Sequence, residues 1–268
     1  MTWPTVPIVT TAMDAGTDTP PRDQIKAMAD AINLMIGSPP SAGNGRLIDV
    51  KTFTPGSYTY TPTAGTSFVV VEVQGGGGGG GNAVFTTSGQ VSAGSGGGGG
   101  GYAKALLRSG FSGVSIVVGS GGAGGTGAPS TTPQFGTAGG ASNFAGLVNG
   151  FGGPGGVGGS ATSAASFTQP NGSGGAATIG SIDGASICTI PGGTGNLGVA
   201  LSGTMAFSGA GGASFNSAGS PSTTFSGGPG AAGGNGGGGG GAMCAPSTAS
   251  SQPGGNGSSG RVIVWEYA

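Results

Sequence analysis

The chain has 268 residues, 69 of them Gly and 17 Pro, a share far above the roughly 12% these two types make up in ordinary domains. It carries 7 basic and 8 acidic side chains and no His, so no imidazole is present to act as a general base, orient a triad or ligate zinc. Sparse Lys and Arg also exclude a nucleic-acid partner, and a net charge of −1 with positive mean hydropathy excludes a chain held open by charge repulsion.

Asp14, Asp18, Arg22, Asp23, Lys26, Asp30, Arg46, Asp49 and Lys51 place most of the charge in the first 51 residues, whereas Asp183 is the only charge between Ser109 and Gly260. The chain therefore divides into a polar segment, 1–50, and a glycine-rich body, 51–268, with a composition break near Pro39 to Asn44. Met1 to Ala15 lacks a basic n-region and a long apolar stretch, so neither a signal peptide nor a membrane span is expected. In the polar segment a helix is predicted over 20–36. Thr19 can cap it, Pro20 and Pro21 fit its first turn, and Gly37 with Pro39 and Pro40 ends it. Ile25, Met28, Ile32 and Met35 fall at a/d spacing over two heptads, the pattern of an oligomerisation seam, with packing inside the chain's own domain as the plainer alternative.

Strands are expected at Tyr58 to Pro62, Ser67 to Gln74, Tyr102 to Leu107, Val114 to Val118 and Arg261 to Tyr267, all alternating or β-branched. They predict one small antiparallel sheet in which the last strand returns beside the first ones. Trp265 and Tyr267 are read as core or interface aromatics. Cys188 and Cys244 show no metal spacing and read as small buried apolar residues, their pairing left open.

Ten glycine-dense runs follow, near 75–81, 94–101, 119–127, 136–140, 150–159, 171–175, 191–195, 208–212, 227–241 and 254–260. No G-X-Y register holds along the chain, which excludes collagen, and no phosphate-loop motif is present. Glycine permits backbone to approach backbone without an intervening Cβ, and polyproline-II-like helices of glycine can bond side by side. The expected fold class is mainly β with a polyglycine-II helical bundle, a short N-terminal α-helix and a small antiparallel scaffold. Runs of this length imply a compact slab of rods about 15 to 30 Å long, not a fibre.

If successive runs alternate in direction, loops divide into two ends. Those far from the sheet are 82–92, 128–135, 160–170, 196–207 and 242–253; those near it include 109–112, 141–149, 176–190 and 213–226. The far loops mix large apolar residues with Ser, Thr, Asn and Gln, as binding loops do. Their candidate contact residues are Phe85, Thr86, Thr87, Gln90, Thr131, Thr132, Gln134, Phe167, Gln169, Leu197, Met205, Met243 and Gln252. For any one of them packing over the slab's edge is the competing role.

The run IVTTAMDAGTDTPPRDQIKAMADAINLMI, with Asp14, Gly16 and Asp18, resembles the start of bacteriophage tail-fibre proteins. The body, from VEVQGGGGGGG through GGGGGGYAKALL and VSIVVGSGGAGG to GSSGRVIVWEYA, resembles glycine-rich receptor-binding domains of phage tail fibres and polyglycine-II tip adhesins. The resemblance implies a non-enzymatic virion protein of the phage tail, without cofactor or metal. Residues 1–50 would attach it to tail or baseplate proteins. The far loops would bind a bacterial surface receptor, be it a pilus, an outer-membrane protein or a polysaccharide, and the assembly would be a homotrimer. The alternative is a structural tail or baseplate component, or a low-complexity glycine-rich surface protein, without direct receptor binding. A glycan-cleaving fibre would need paired carboxylates, and the body from 75 to 260 offers Asp183 alone.

Overall fold

Alternation sets the first layer: in FVVVEVQ, Val69, Val71 and Val73 are fully buried while the residues between them are half-buried, the period-two signature of a strand with one face on a core. The structure, a computed structural model, describes residues 45–127, 131–170, 173–223 and 226–268. In chain order its strands are β1 (Leu47–Phe53), β2 (Gly56–Thr59), β3 (Phe68–Gln74), β4 (Ser92–Ala93), β5 (Tyr102–Leu107), β6 (Ser115–Val118), β7 (Ser142–Phe144) and β8 (Val148–Gly150). There follow β9 (Ser166–Thr168), β10 (Ala177–Ile179), β11 (Gly184–Ile190), β12 (Gly198–Ser202), β13 (Met205–Phe207), β14 (Met243–Cys244) and β15 (Arg261–Tyr267).

Two five-stranded antiparallel sheets, ordered β1-β15-β3-β5-β11 and β10-β8-β7-β6-β2, form the base. Their facing sides share one core: Val69, Val71, Ala105, Leu107, Val262 and Val264 from the first meet Ile116, Val118, Phe144 and Val148 from the second, with Tyr60 between. Tyr60 and Phe144 pack edge to face at 5.3 Å between centroids. One charge enters this layer. Glu266 is fully buried, accepts a hydrogen bond from Tyr60 Oη at 2.6 Å and from Thr63 N at 3.1 Å, and pairs with Lys51 Nζ at 2.8 Å. On the outer side Trp265 is half-buried and Tyr267 stacks on Phe68 at 5.0 Å.

Beyond this base the glycine runs form extended legs whose backbone bonds go mainly to other legs. The amides of 75–81 donate in rotation: Gly75, Gly78 and Gly81 to leg 94–101, Gly76 and Gly79 to leg 136–140, Gly77 and Gly80 to leg 254–260. Their carbonyls accept in the same rotation from Gly153 and Gly156, from Gly122 and Gly125, and from Gly239 and Ala242, every bond between 2.7 and 3.0 Å. The leg thus has six neighbours, antiparallel where it donates and parallel where it accepts. Leg 94–101 is also enclosed by other legs, accepting from 75–81 in antiparallel order and from 209–212 in parallel order. Close approach explains the composition here, since a Cβ on Gly79 would overlap the Ala123 carbonyl and lie 2.6 Å from Gly124 N.

The expected fold class is corrected by this architecture. No described residue is helical, and a helical bundle is not what the runs form: they are extended segments bonded from leg to leg, among strands grouped in four antiparallel sheets rather than one. The reason lies in amide accounting, because the amides of legs 75–81 and 94–101 find their partners outside their own leg and leave none for bonds within it. The predicted helix over 20–36, with Ile25, Met28, Ile32 and Met35, lies outside the described residues. Residues 47–50 belong to the base, because β1 pairs with β15 from Leu47 onward. Val114 to Val118 contributes β6 to the second sheet, not to the sheet of β3 and β15. Run 227–241 is two legs, turning at Asn235 and Gly236 (φ 37° and 79°), and Ser214–Ser217 makes another turn. Legs 217–223 and 230–234 are therefore added as an up-and-down pair, so 254–260 still descends into β15.

Candidate functional site

Legs that end together must have their last amides and carbonyls satisfied by something other than glycine. At the end remote from the base, buried polar side chains do this. Asn82, the first residue after leg 75–81, is fully buried: its Oδ1 accepts from Gln134 N at 2.7 Å, and its Nδ2 donates to Thr126 O at 2.9 Å. Ser92 Oγ donates to Gly159 O at 2.9 Å and accepts from Val84 N at 3.1 Å. Thr86 Oγ1 donates to Ala245 O at 2.5 Å and accepts from Thr248 N at 3.1 Å.

Apolar packing completes the platform. Val91, Ala93, Ala200, Ala206 and Met243 form a separate small core, held by the β4–β14 pair and by the three-stranded sheet β13-β12-β9. Bridges join Ala83 to Gln252 and Val91 to Thr162. Loops from 82–92, 131–135, 160–170, 196–207 and 242–253 are thereby gathered at one end. Near the base lie 109–112, 145–147 and 180–183, with Ser109 Oγ donating to Asp183 Oδ2 at 2.7 Å. Segment 213–226 departs from the near-sheet expectation. It starts beside the base, where Phe215 stacks on Tyr102 at 4.1 Å, and climbs to the far end, where Ser208 N donates to Thr223 O at 3.1 Å.

The far surface carries Phe85, Phe135, Phe167, Leu197, Leu201 and Met205 as exposed large apolar side chains, Phe167 at 63% and Phe135 at 59% exposure. Around them Thr87, Thr131, Thr132 and Gln169 are exposed, and Gln90, Gln134 and Gln252 half-buried. Several are fixed by one another: Thr87 Oγ1 donates to Gln90 Oε1 at 2.7 Å and Gln134 Nε2 to Thr132 Oγ1 at 3.0 Å. A groove of about 460 Å³ runs between Val157–Ser160 and the strand Ser166–Thr168 with Gln169 and Pro170. Two predicted contact residues are corrected. Thr86 and Met243 are buried, at 4% and 1% exposure, because the first closes leg ends and the second fills the small core.

Charge is segregated as sharply. Among the described residues Arg46, Asp49, Lys51, Glu72, Lys104, Arg108, Asp183, Arg261 and Glu266 all belong to the base or its loops, so none of the described charged side chains lies at the far end. Its one thiol, Cys244, is buried with Sγ 3.5 Å from Ala83 O, and burial pushes its pKa up to about 11. Cys188 sits half-buried on β11, and both thiols are free. Phe135, Leu201, Asn82 and Ser92 were not singled out from the sequence, although a lone Asn directly ending a seven-glycine run marks a leg terminus that needs side-chain partners.

A two-sheet base, a glycine-leg lattice and an uncharged loop platform together define a glycine-rich domain that displays loops from a rigid backbone. The glycine-rich domain family model matches residues 52–267, and the chain belongs to that family. No curated protein matches the sequence.

Proposed function

We propose that the chain is a bacteriophage tail-fibre receptor-binding protein whose far loops attach the virion to a bacterial surface structure. The observation that carries this reading is the far end itself: exposed Phe, Leu and Met anchors among hydroxyl and amide side chains, on a charge-free surface opposite a charged base. Apolar anchors among adaptable hydrogen-bonding groups are the composition of surfaces that bind by shape and contact. The segment 1–50, whose last residues, 47–50, run into β1 of the base, supplies attachment to tail or baseplate proteins, the chain assembles as a homotrimer on the virion, and its role is binding rather than catalysis.

Labelled purified protein, its mass determined, is applied to Gram-negative cells with and without pili, outer-membrane proteins and O-antigen. The expected result is saturable adsorption lost with one surface structure and little altered by salt, since no ion pair forms at the far end. Phe167→Ser and Phe135→Ser should each weaken adsorption without lowering the melting temperature. Adsorption to no strain by a folded protein refutes the proposal and favours a structural tail component.

A further inference from the structure

We infer that the groove beside β9 takes an extended, uncharged peptide segment, added as a strand to the free edge of the far sheet. This rests on the reading of the far end as a binding surface and names the class of ligand.

The far sheet is ordered β13-β12-β9, so β9 pairs with β12 on one side, Phe167 opposite Val199, and on its other side pairs with no described strand. The groove is lined by the three consecutive residues Ser166–Thr168 and by Val157, Gly158 and Ser160, and by no residue of β12, which points to the open side as its place. A strand edge presents alternating N–H and C=O groups at the repeat of another strand, a pattern that a polypeptide matches and a sugar does not. Proteins ordinarily blunt such edges with Lys, Pro, bulges or a covering segment. Ser166, Phe167 and Thr168 include no charge and no Pro, and β9 pairs with β12 without a bulge. The exposed Phe167 ring and Val157 offer apolar contact to alternate side chains of an incoming strand, whereas the absence of Asp, Glu, Lys, Arg and His among the described residues at this end disfavours a charged one. β9 is three residues long and Pro170 also lines the groove, so the site fits a short segment such as the crest of an extracellular loop.

The test uses the full chain and a displayed library of short random peptides lacking Asp, Glu, Lys, Arg and His. Selected peptides should bind saturably and slow amide hydrogen exchange at Ser166, Phe167 and Thr168. N-methylation of alternate peptide amides should weaken them at least about tenfold, as expected when strand-type bonds are lost. Phe167→Lys, at an exposed position, should remove binding while leaving the melting temperature unchanged. Recovery of no peptide, or of peptides that protect other residues, overturns the inference. So does concentration-dependent self-association that protects 166–168, which would make a second copy the occupant. Cell adsorption separates this from the reading it rests on. If the chain adsorbs to cells but purified polysaccharide competes and the peptides do not, strand addition fails and receptor binding stands. If peptides add to β9 in a chain that adsorbs to no cell, receptor binding fails and the edge site stands.

Discussion

Glu266 is the one carboxylate in the sandwich core, and titrating it should unfold the base from within. Burial alone would raise its pKa; hydrogen bonds from Lys51, Thr63 and Tyr60 more than offset this and hold it at about 2, against an ordinary 4.5. A carboxylate with a depressed pKa stabilises the fold above its unfolded-state value and loses that contribution as pH falls through the folded one. The gap between 4.5 and about 2 is worth about 3 kcal/mol, at about 1.4 kcal/mol per pKa unit. Urea titrations of the wild type between pH 6 and pH 2 should therefore show an acid-dependent loss of about 3 kcal/mol from this group. Glu266→Gln should be less stable at pH 6, because the amide leaves the Lys51 ammonium without its counter-charge and replaces one of the two acceptor oxygens that serve Tyr60 and Thr63 by a donor, and its stability should fall less steeply toward pH 2. Identical acid slopes in the two proteins would refute the assignment of that loss to the buried pair.

Gly98→Val should prevent soluble folding, since a Cβ there lies 2.7 Å from Pro154 Cδ and 3.3 Å from Gly174 Cα; a variant with wild-type melting would contradict the close packing of the legs. Asn82→Ala leaves the Gln134 amide and the Thr126 carbonyl without their side-chain partner, and calorimetry should register a loss of about 2 to 4 kcal/mol. Disulfide-exchange labelling at pH 8 should modify Cys188 well before Cys244, whose thiol is buried with a pKa near 11; equal rates would show that the far end opens readily.

Strand β15 and its neighbour β3 were legible because alternation over seven residues admits one reading. The second sheet was not, because SNF and VNG are too short to show any period. β1 hid among charges: LIDVKTF looks solvent-exposed until β15 supplies a partner. Within the runs a finer signal exists. Ser120, Ala123 and Thr126 recur every third residue in leg 119–127 and are exposed; Phe151, exposed, and Pro154 and Val157, half-buried, recur at the same interval in leg 150–159. Pure-glycine stretches such as 75–81 are instead the legs with six neighbours, where no outward face is left for a side chain. The Asn235-Gly236 turn carries a turn dipeptide, masked by glycines on both sides. At the far end, composition indicated which loops hold apolar residues but not which point outward. Met243 and Phe167 look alike in sequence, and only the β4–β14 pairing buries the first.

The order of the legs also constrains how the molecule is completed. Leg 75–81 leaves the first sheet early, yet its Gly77 and Gly80 amides find acceptors only on Ser258 and Gly255, and β3, from which it springs, is flanked by β15. Until the last residues arrive, the central leg lacks partners and β3 has an open edge. A lone glycine leg gains little by ordering, because glycine loses the most backbone entropy and offers no side chain to bury. Stability therefore accrues to the lattice as a whole, when all six neighbours are present, and the folding barrier should carry the closure of very long loops. That same cooperativity separates the far loops from the frame. Exposed residues such as Phe167 and Phe135 take no part in the leg-to-leg bonds, so their replacement should change the adsorption proposed for this surface without loosening what holds it up.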